Sequence, residues 1–212
     1  MSIENELKSG NKQDLKTKVI AVTKTFPLSV IKPLIDHGHL HYGENKVQEA
    51  LEKWNEIKKE VKNIKLHMIG KLQTNKVKFV VPLFDYIHSL DNLKLAQKIS
   101  LEQKKINKKL KIFIQVNIGN EDQKSGIHKN EVMNFYKKCI NDFSLDIVGL
   151  MCIPPLKENK NEYFKLMNDL NKSIGLNELS MGMSSDYLEA VSYGATYVRI
   201  GSKIFGERSE RI

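Results

Sequence analysis

Short apolar or β-branched runs recur along the chain at Val19–Thr23 (VIAVT), Leu40–Tyr42, Leu66–Ile69, Tyr86–Leu90, Ile112–Asn117 (IFIQVN), Asp146–Leu150, Glu178–Met181 and Tyr197–Ile200. Their length and residue types predict β-strands. Between them lie amphipathic stretches of helical period at Leu28–His37, Val47–Val61, Asn75–Val81, Leu93–Asn107, Glu131–Asp142, Glu162–Ile174 and Asp186–Tyr193. Gly38 and Gly194 stand where two of these helices should end. Alternation of strand and helix predicts parallel strands joined by crossover helices, and several strands are apolar on both faces, as a buried parallel sheet requires. About eight such units in this length meet the lower size limit of a (β/α)8 TIM barrel. The alternative is a doubly wound open sheet, but the turn after its first strand would need a Gly-rich phosphate loop and reads Lys24-Thr25-Phe26-Pro27. No linker, solenoid-period repeat or low-complexity segment interrupts the pattern, so one barrel domain over residues 1–212 is expected.

Composition narrows the class. The chain has 212 residues, 41% hydrophobic and 28% charged, with 12 Gly and 5 Pro, the proportions of an ordinary globular domain that buries a core without staples. No apolar run reaches the roughly 18 residues of a membrane span, and the polar start MSIENELKSGNKQDLK lacks the apolar segment of a signal peptide. A cytoplasmic protein without a membrane partner is expected. Cys139 and Cys152 have no CxxC spacing and the six His are dispersed, which predicts neither a disulfide framework nor a metal site.

The net charge of +9 raises the question of a nucleic-acid partner. Its arginines are only Arg199, Arg208 and Arg211; the lysines are scattered among abundant Asn and Ile, a bias of residue usage. The densest stretch, Lys104–Lys111 (KKINKKLK), has no interleaved aromatics on which bases could stack. It reads as a solvated helix end and turn, and no nucleic acid is expected.

Barrel enzymes and binding proteins carry their reactive residues just after the strands, and polar residues cluster there repeatedly in this chain. Lys24 closes the first strand on the face of Ile20 and Val22. An amine at the end of a buried strand has a lowered pKa available through desolvation, which suits a Schiff-base nucleophile, although a lysine there can also simply reach solvent. The last two strands end in LSMGMSSDYLEA and VRIGSKIFG. Gly182 and Gly201 allow close backbone approach and Ser184 and Ser202 supply hydroxyls, a pairing suited to phosphate at the position where barrels often bind it. Asp186 and Glu189 have capping spacing, which predicts a helix start just after the serines. Arg199 lies inside the eighth strand, which pairs with the first in a closed barrel; it either pairs with a carboxylate or serves a ligand. A phosphorylated aldehyde with a ring nitrogen would use lysine, phosphate cup and arginine together.

The segments AVTKT at Lys24, GENKVQEA at Gly43–Ala50, HMIGKLQTNK at His67–Lys76, IHSLD at Ile87–Asp91, QVNIGNEDQKSG at Gln115–Gly126, GLMCIP at Gly149–Pro154, LSMGMSSD at Leu179–Asp186 and VRIGSKIFGER at Val198–Arg208 run in order over nearly the whole chain. In this combination the chain resembles the YggS/PROSC family of pyridoxal 5′-phosphate (PLP) homeostasis proteins, single-domain relatives of the alanine racemase barrel. The resemblance implies that Lys24 carries PLP as an internal aldimine, that Arg199 faces the pyridine nitrogen, and that Ser184, Gly201 and Ser202 hold the phosphate. It also implies that Asn45, Ser89, Met181 and Gly182 line the cofactor. Read without the resemblance, Asn45 with Gln48 is a helix-capping pair, Ser89 a strand-end turn residue and Met181 barrel core.

Three function classes follow. Racemases of the related barrel add a β domain that helps form the dimer and supplies a catalytic tyrosine, and this chain ends soon after its eighth strand. Two-base racemisation needs groups on opposite faces of the cofactor, whereas the sequence offers an obvious one only in Lys24. The leading expectation is a non-catalytic, monomeric PLP-binding protein that regulates the free level and delivery of PLP, with PLP-dependent apoenzymes as possible partners. A PLP-dependent amino-acid racemase of low activity is the second reading, and an RNA-binding module, with steeply salt-dependent binding, the third.

Overall fold

The computed structural model describes residues 3, 5 and 7, 17–155 and 159–206. Most of the polar N-terminal stretch and the last residues of the VRIGSKIFGER segment, with Arg208 and Arg211, lie outside them. Eight parallel strands close into a barrel: β1 (Lys18–Val22), β2 (His41–Glu44), β3 (Lys65–Met68), β4 (Tyr86–Leu90), β5 (Lys111–Asn117), β6 (Asp146–Cys152), β7 (Glu178–Met183) and β8 (Tyr197–Ile200). Each strand pairs with the next, and β8 returns to β1 in the register Lys18↔Tyr197, Ile20↔Arg199, Ala21↔Ile200. The (β/α)8 barrel expected from the alternation is the observed fold, and the open-sheet alternative is excluded by this closure.

Helices α1 (Leu28–Asp36), α2 (Val47–Glu60), α3 (Val77–Leu83), α4 (Leu93–Ile106), α5 (Val132–Asn141), α6 (Lys160–Ile174) and α7 (Tyr187–Ser192) form the crossovers, and a short α8 (Ser202–Phe205) follows β8. The expected helix over Asn75–Val81 is instead a 3-10 turn, Thr74–Lys76, leading into α3, which runs through Pro82 to Leu83. Among the small elements, α8 itself and the two-residue strand Ile127–His128 beside β5 were not anticipated. Both are too short for a periodic pattern to register. The lysine-rich stretch is a helix end and turn running into β5: Asn107 takes the left-handed conformation (φ 48°) at the end of α4, and Lys108 Nζ donates to the Pro82 carbonyl at 2.8 Å.

Strand residues of one parity face the helices. Ala21, Tyr42, Leu66, Ile87, Ile112, Ile147, Leu179 and Val198 share the main core with Trp54, Ile99, Phe135, Phe164 and Ala190 of the helical layer. Residues of the other parity, Ile20, Tyr86, Phe113, Met151 and Tyr197, form a separate cluster that fills the barrel interior, as the alternation of side chains along a strand requires. Among the described residues no helix is long and apolar enough to cross a membrane, and no group of three or more His, Cys, Asp or Glu is arranged to hold a metal.

Candidate functional site

Lys24 is half-buried in the turn that leaves β1, between two anchored threonines. Thr23 is fully buried, and its hydroxyl donates to Glu44 Oε1 at 2.7 Å. Glu44 Oε1 also accepts from Trp54 Nε1 at 3.0 Å and lies 2.8 Å from Lys53 Nζ. The same Lys53 ammonium donates to the carbonyls of Thr23 (2.8 Å) and Phe26 (3.3 Å) and to Glu49 Oε1 (2.8 Å). Glu49 Oε1 in turn accepts from Thr25 N at 2.5 Å, and Thr25 holds a left-handed backbone (φ 70°), a conformation that costs energy in a non-Gly residue and persists where surroundings impose it. The hydrogen bonds from Lys53 and Thr25 hold the Glu49 carboxyl below its ordinary pKa although burial alone would raise it. A buried charge network on β2 and α2 therefore fixes the backbone on both sides of Lys24.

The ends of β7 and β8 meet beside this turn. Ser184 Oγ accepts from Gly201 N at 3.3 Å, and a Cβ built on Gly201 would meet the Val22 carbonyl at only 3.4 Å, ordinary contact. Phe26, from the Lys24 turn, packs on Phe205 of α8 with ring centroids 5.1 Å apart. Ser202 opens α8, whose first N–H groups have no partner within the helix. Lys24, Ser184, Gly201 and Ser202 thus stand on adjoining strand ends at the C-terminal face of the barrel.

Gly182 has a packing role of its own. It sits at φ +90° in a bulge of β7, and a Cβ there would fall 2.6 Å from Ala190 Cβ, so its missing side chain admits α7. Met181 is fully buried in the core shared with the helices; its side chain is core, as the reading without the family resemblance has it. The Asp186–Glu189 spacing marks the start of α7 correctly but not as a capping box. The Asp186 carboxylate turns back to accept from Met183 N at 2.6 Å and to pair with Lys160 Nζ at 2.6 Å, bracing the turn that carries Ser184.

Arg199 is 5% exposed. Its hydrogen-bond partners are neutral: Nη1 donates to Ser180 Oγ at 2.6 Å and Nη2 to the Cys152 carbonyl at 2.9 Å. Burial draws its pKa below the ordinary guanidinium value. The Cys152 and Cys139 thiols are pushed up to about 12 by burial, which disfavours the thiolate form.

Two further expected residues supply unmet polar atoms. Asn45 does not cap α2: Lys46 occupies that position, Gln48 bonds to Glu52 instead, and Asn45 Oδ1 is buried with no partner among the described residues. Gly70 makes this placement possible, since a Cβ there would lie 2.3 Å from the Asn45 carbonyl oxygen. In β4 a bulge sets two residues, His88 and Ser89, against one of β5, Phe113, between Ile87↔Ile112 and Leu90↔Ile114, and Ser89 within it has a buried Oγ with no partner among the described residues. Buried polar groups are rarely left unsatisfied except where a ligand, ion or water meets them. The donors and acceptors present, an amine, paired serines, a guanidinium and two unmet polar atoms, fit an anionic, phosphorylated heteroaromatic aldehyde.

The sequence did not reveal the Lys53–Glu44 anchor. Its members are an i, i+9 pair across a strand end and a helix, and Glu44 carries no signal of its burial except its place as the last residue of β2. Nor did it reveal that His41, His67 and His88, each on a different strand, meet inside the barrel.

The alanine racemase N-terminal domain family matches this chain over residues 5–209. The pyridoxal phosphate homeostasis proteins of Aquifex aeolicus and Homo sapiens are each 38% identical to it, over 90% and 92% of this chain and 87% and 78% of theirs. That of Haemophilus influenzae is 37% identical over 98% of this chain and 92% of its own. Among solved structures, PipY of Synechococcus elongatus PCC7942 with PLP bound superposes with a TM-score of 0.85 at 30% identity, covering 96% of this chain and 98% of PipY. An alanine racemase of Clostridium difficile 630 superposes with a TM-score of 0.75 at 16% identity over 98% of this chain but 56% of its own, a likeness of fold.

Proposed function

The chain belongs to the alanine racemase N-terminal domain family, and from that premise we propose that it is a PLP-binding protein of PLP homeostasis, holding the cofactor on Lys24 rather than turning over a substrate. The observation that carries this reading is the convergence of Lys24, the Ser184–Gly201 contact and Arg199 on the neighbouring strands β1, β7 and β8. PLP, when bound, supplies an electrophilic aldehyde and a ring able to accept electrons.

Lys24 Nζ is the group that joins to the aldehyde carbon, with loss of water. The anchored Thr23 and Thr25 fix the point from which its side chain reaches. Ser184, Ser202 and the backbone N–H groups at the start of α8 hold the phosphate. Arg199 has only donors to offer and, facing the ring nitrogen, leaves that nitrogen unprotonated, which weakens the electron sink that racemisation and transamination use. Asn45 Oδ1 and Ser89 Oγ take up polar groups of the cofactor. This is the behaviour of a holder that lends PLP to apoenzymes, acting as a cytoplasmic monomer.

Reduction of the PLP-loaded protein with borohydride, digestion and mass mapping tests the attachment: the expected product is a single modified lysine, Lys24, and loss of the visible absorbance in Lys24→Ala. Modification elsewhere, or no binding of PLP by the stripped wild-type chain, refutes the reading. Incubation of the loaded protein with each enantiomer of an amino acid in deuterated water tests the carrier role. Stereochemical inversion at rates typical of enzymes, on the order of 1 per second or faster, would make it a racemase.

A further inference from the structure

Side chains from five strands form one hydrogen-bonded line through the barrel interior. Arg199 Nη1 donates to Ser180 Oγ at 2.6 Å; Ser180 Oγ lies 2.9 Å from His88 Nδ1; His88 Nε2 lies 2.9 Å from His67 Nδ1; His67 Nε2 lies 2.9 Å from His41 Nδ1. Ser180, His88 and His67 are fully buried. The rings are held on their faces too, His88 stacked on Phe113 with centroids 4.3 Å apart and His67 on Tyr86 at 4.2 Å. His41 is the first residue of β2 and lies near Tyr86 and Tyr197, the first residues of β4 and β8. It therefore marks the N-terminal mouth of the barrel, opposite Lys24.

The chemistry of the terminal group sets the direction of the line. A guanidinium has donors only, so Ser180 Oγ accepts from Arg199. The Ser180 hydroxyl is buried and needs an acceptor for its own proton, and the group within reach is His88 Nδ1. That nitrogen must then carry a lone pair, which puts the His88 proton on Nε2, facing His67 Nδ1. The same step repeats: His67 is protonated on Nε2 and donates to His41 Nδ1, leaving the His41 proton on Nε2. An imidazolium at His88 or His67 would either strand the Ser180 proton or set two N–H groups against each other. Burial, with Arg199 near His88, keeps both rings neutral.

We propose that His88 and His67 are positioning residues for Arg199, and that the line Arg199–Ser180–His88–His67–His41 has a single hydrogen-bond direction, set by the guanidinium and running from the PLP end of the barrel to its opposite mouth. Ser180 is thereby locked as an acceptor for one arm of Arg199 while the Cys152 carbonyl holds the other. The guanidinium plane is fixed, and its remaining N–H groups are committed to the site. The link to PLP rests on the function proposed above; the direction of the line does not.

Long-range proton–nitrogen NMR correlation on the PLP-free protein with labelled histidines, at neutral pH, reads each tautomer directly. The expected spectrum has His41, His67 and His88 neutral with the proton on Nε2. A proton on Nδ1 of His88 or His67, or an imidazolium at either, overturns the direction. For the positioning role, His88→Phe keeps the ring volume and removes the acceptor, while His88→Gln restores an acceptor and a donor. His88→Phe is expected to weaken PLP binding about tenfold, the worth of one buried hydrogen bond, and to shift the visible absorbance of the loaded protein; His88→Gln is expected to recover most of both. Wild-type affinity and spectrum in folded His88→Phe overturn the role. If that variant does not fold, Ser180→Ala interrupts the line with the loss of one oxygen and is read the same way. A wild-type chain that binds no PLP refutes the proposed function while the tautomers still decide the direction.

Discussion

Lys53 Nζ lies 2.8 Å from Glu44 Oε1 and 2.8 Å from the Thr23 carbonyl oxygen, so one ammonium joins a fully buried carboxylate to the residue that precedes Lys24. Removing the cation leaves Glu44 charged and uncompensated inside the protein. Lys53→Met is expected to cost about 3–5 kcal/mol of stability, and the double change Lys53→Met with Glu44→Gln markedly less, because the neutral pair leaves no stranded charge. Urea unfolding of the two single variants and the double variant measures the coupling; additive losses would mean that the two groups act independently.

The approach of Asn45 to the end of β3 depends on Gly70. A methyl group there would lie 2.3 Å from the Asn45 carbonyl oxygen and 2.7 Å from its Cα, both backbone atoms that yield only if the loop moves. Gly70→Ala is expected to lose about 1–3 kcal/mol of stability and to weaken PLP binding by displacing Asn45. Gly201→Ala, with nothing closer than 3.4 Å, should unfold within about 1 kcal/mol of wild type. Equal stability of both variants would show that the loop yields freely.

These two relationships mark where sequence reading succeeds and where it stops. The barrel was legible because strand and helix periods alternate without interruption, and every strand expectation overlaps an observed strand. That Lys24, Ser184, Gly201 and Ser202 stand together was legible because in a barrel the strand ends are one place, whatever their separation in the chain. The packing role of Gly182 was not legible, because sequence shows that a Cβ is missing but not which neighbour takes the space; that neighbour is α7. Asn45 reads as a cap until the backbone shows that the helix starts one residue later. The histidine line was invisible because a parallel barrel brings together inward-facing residues of different strands, and register between strands is not written in local periodicity.

Burial of the three histidines makes stability depend on pH. His41 is pulled from 6.5 to about 4, chiefly by burial and then by Lys18, and His67 and His88 lie well below the usual value, again through burial first. As pH falls below 6.5 the unfolded chain takes up protons that the folded chain refuses. Their contribution is therefore complete above 6.5 and lost on acidification, for His41 down to about 4 and for the other two further still. Each histidine adds a slope of at most about 1.4 kcal/mol per pH unit. Urea unfolding between neutral pH and about pH 5, above the range where carboxylates titrate, isolates this term. His41→Asn should flatten the curve there, and an unchanged slope would mean that His41 is protonated in the folded protein.

Ser89 separates the demands of the fold from those of the ligand. Its hydroxyl is buried and has no partner among the described residues, a state that costs stability in the unliganded chain, whereas its deletion leaves only a small void. Ser89→Ala is therefore expected to leave the PLP-free protein as stable as wild type or more stable by about 1 kcal/mol. If the hydroxyl meets the cofactor, the same change weakens PLP binding by roughly three- to tenfold, so that the gain in melting temperature on adding PLP shrinks. Thermal melts with and without PLP give both quantities from one pair of samples. A purely structural serine would produce the opposite pattern, with a lower melting temperature in the free protein and an unaltered increment on adding PLP.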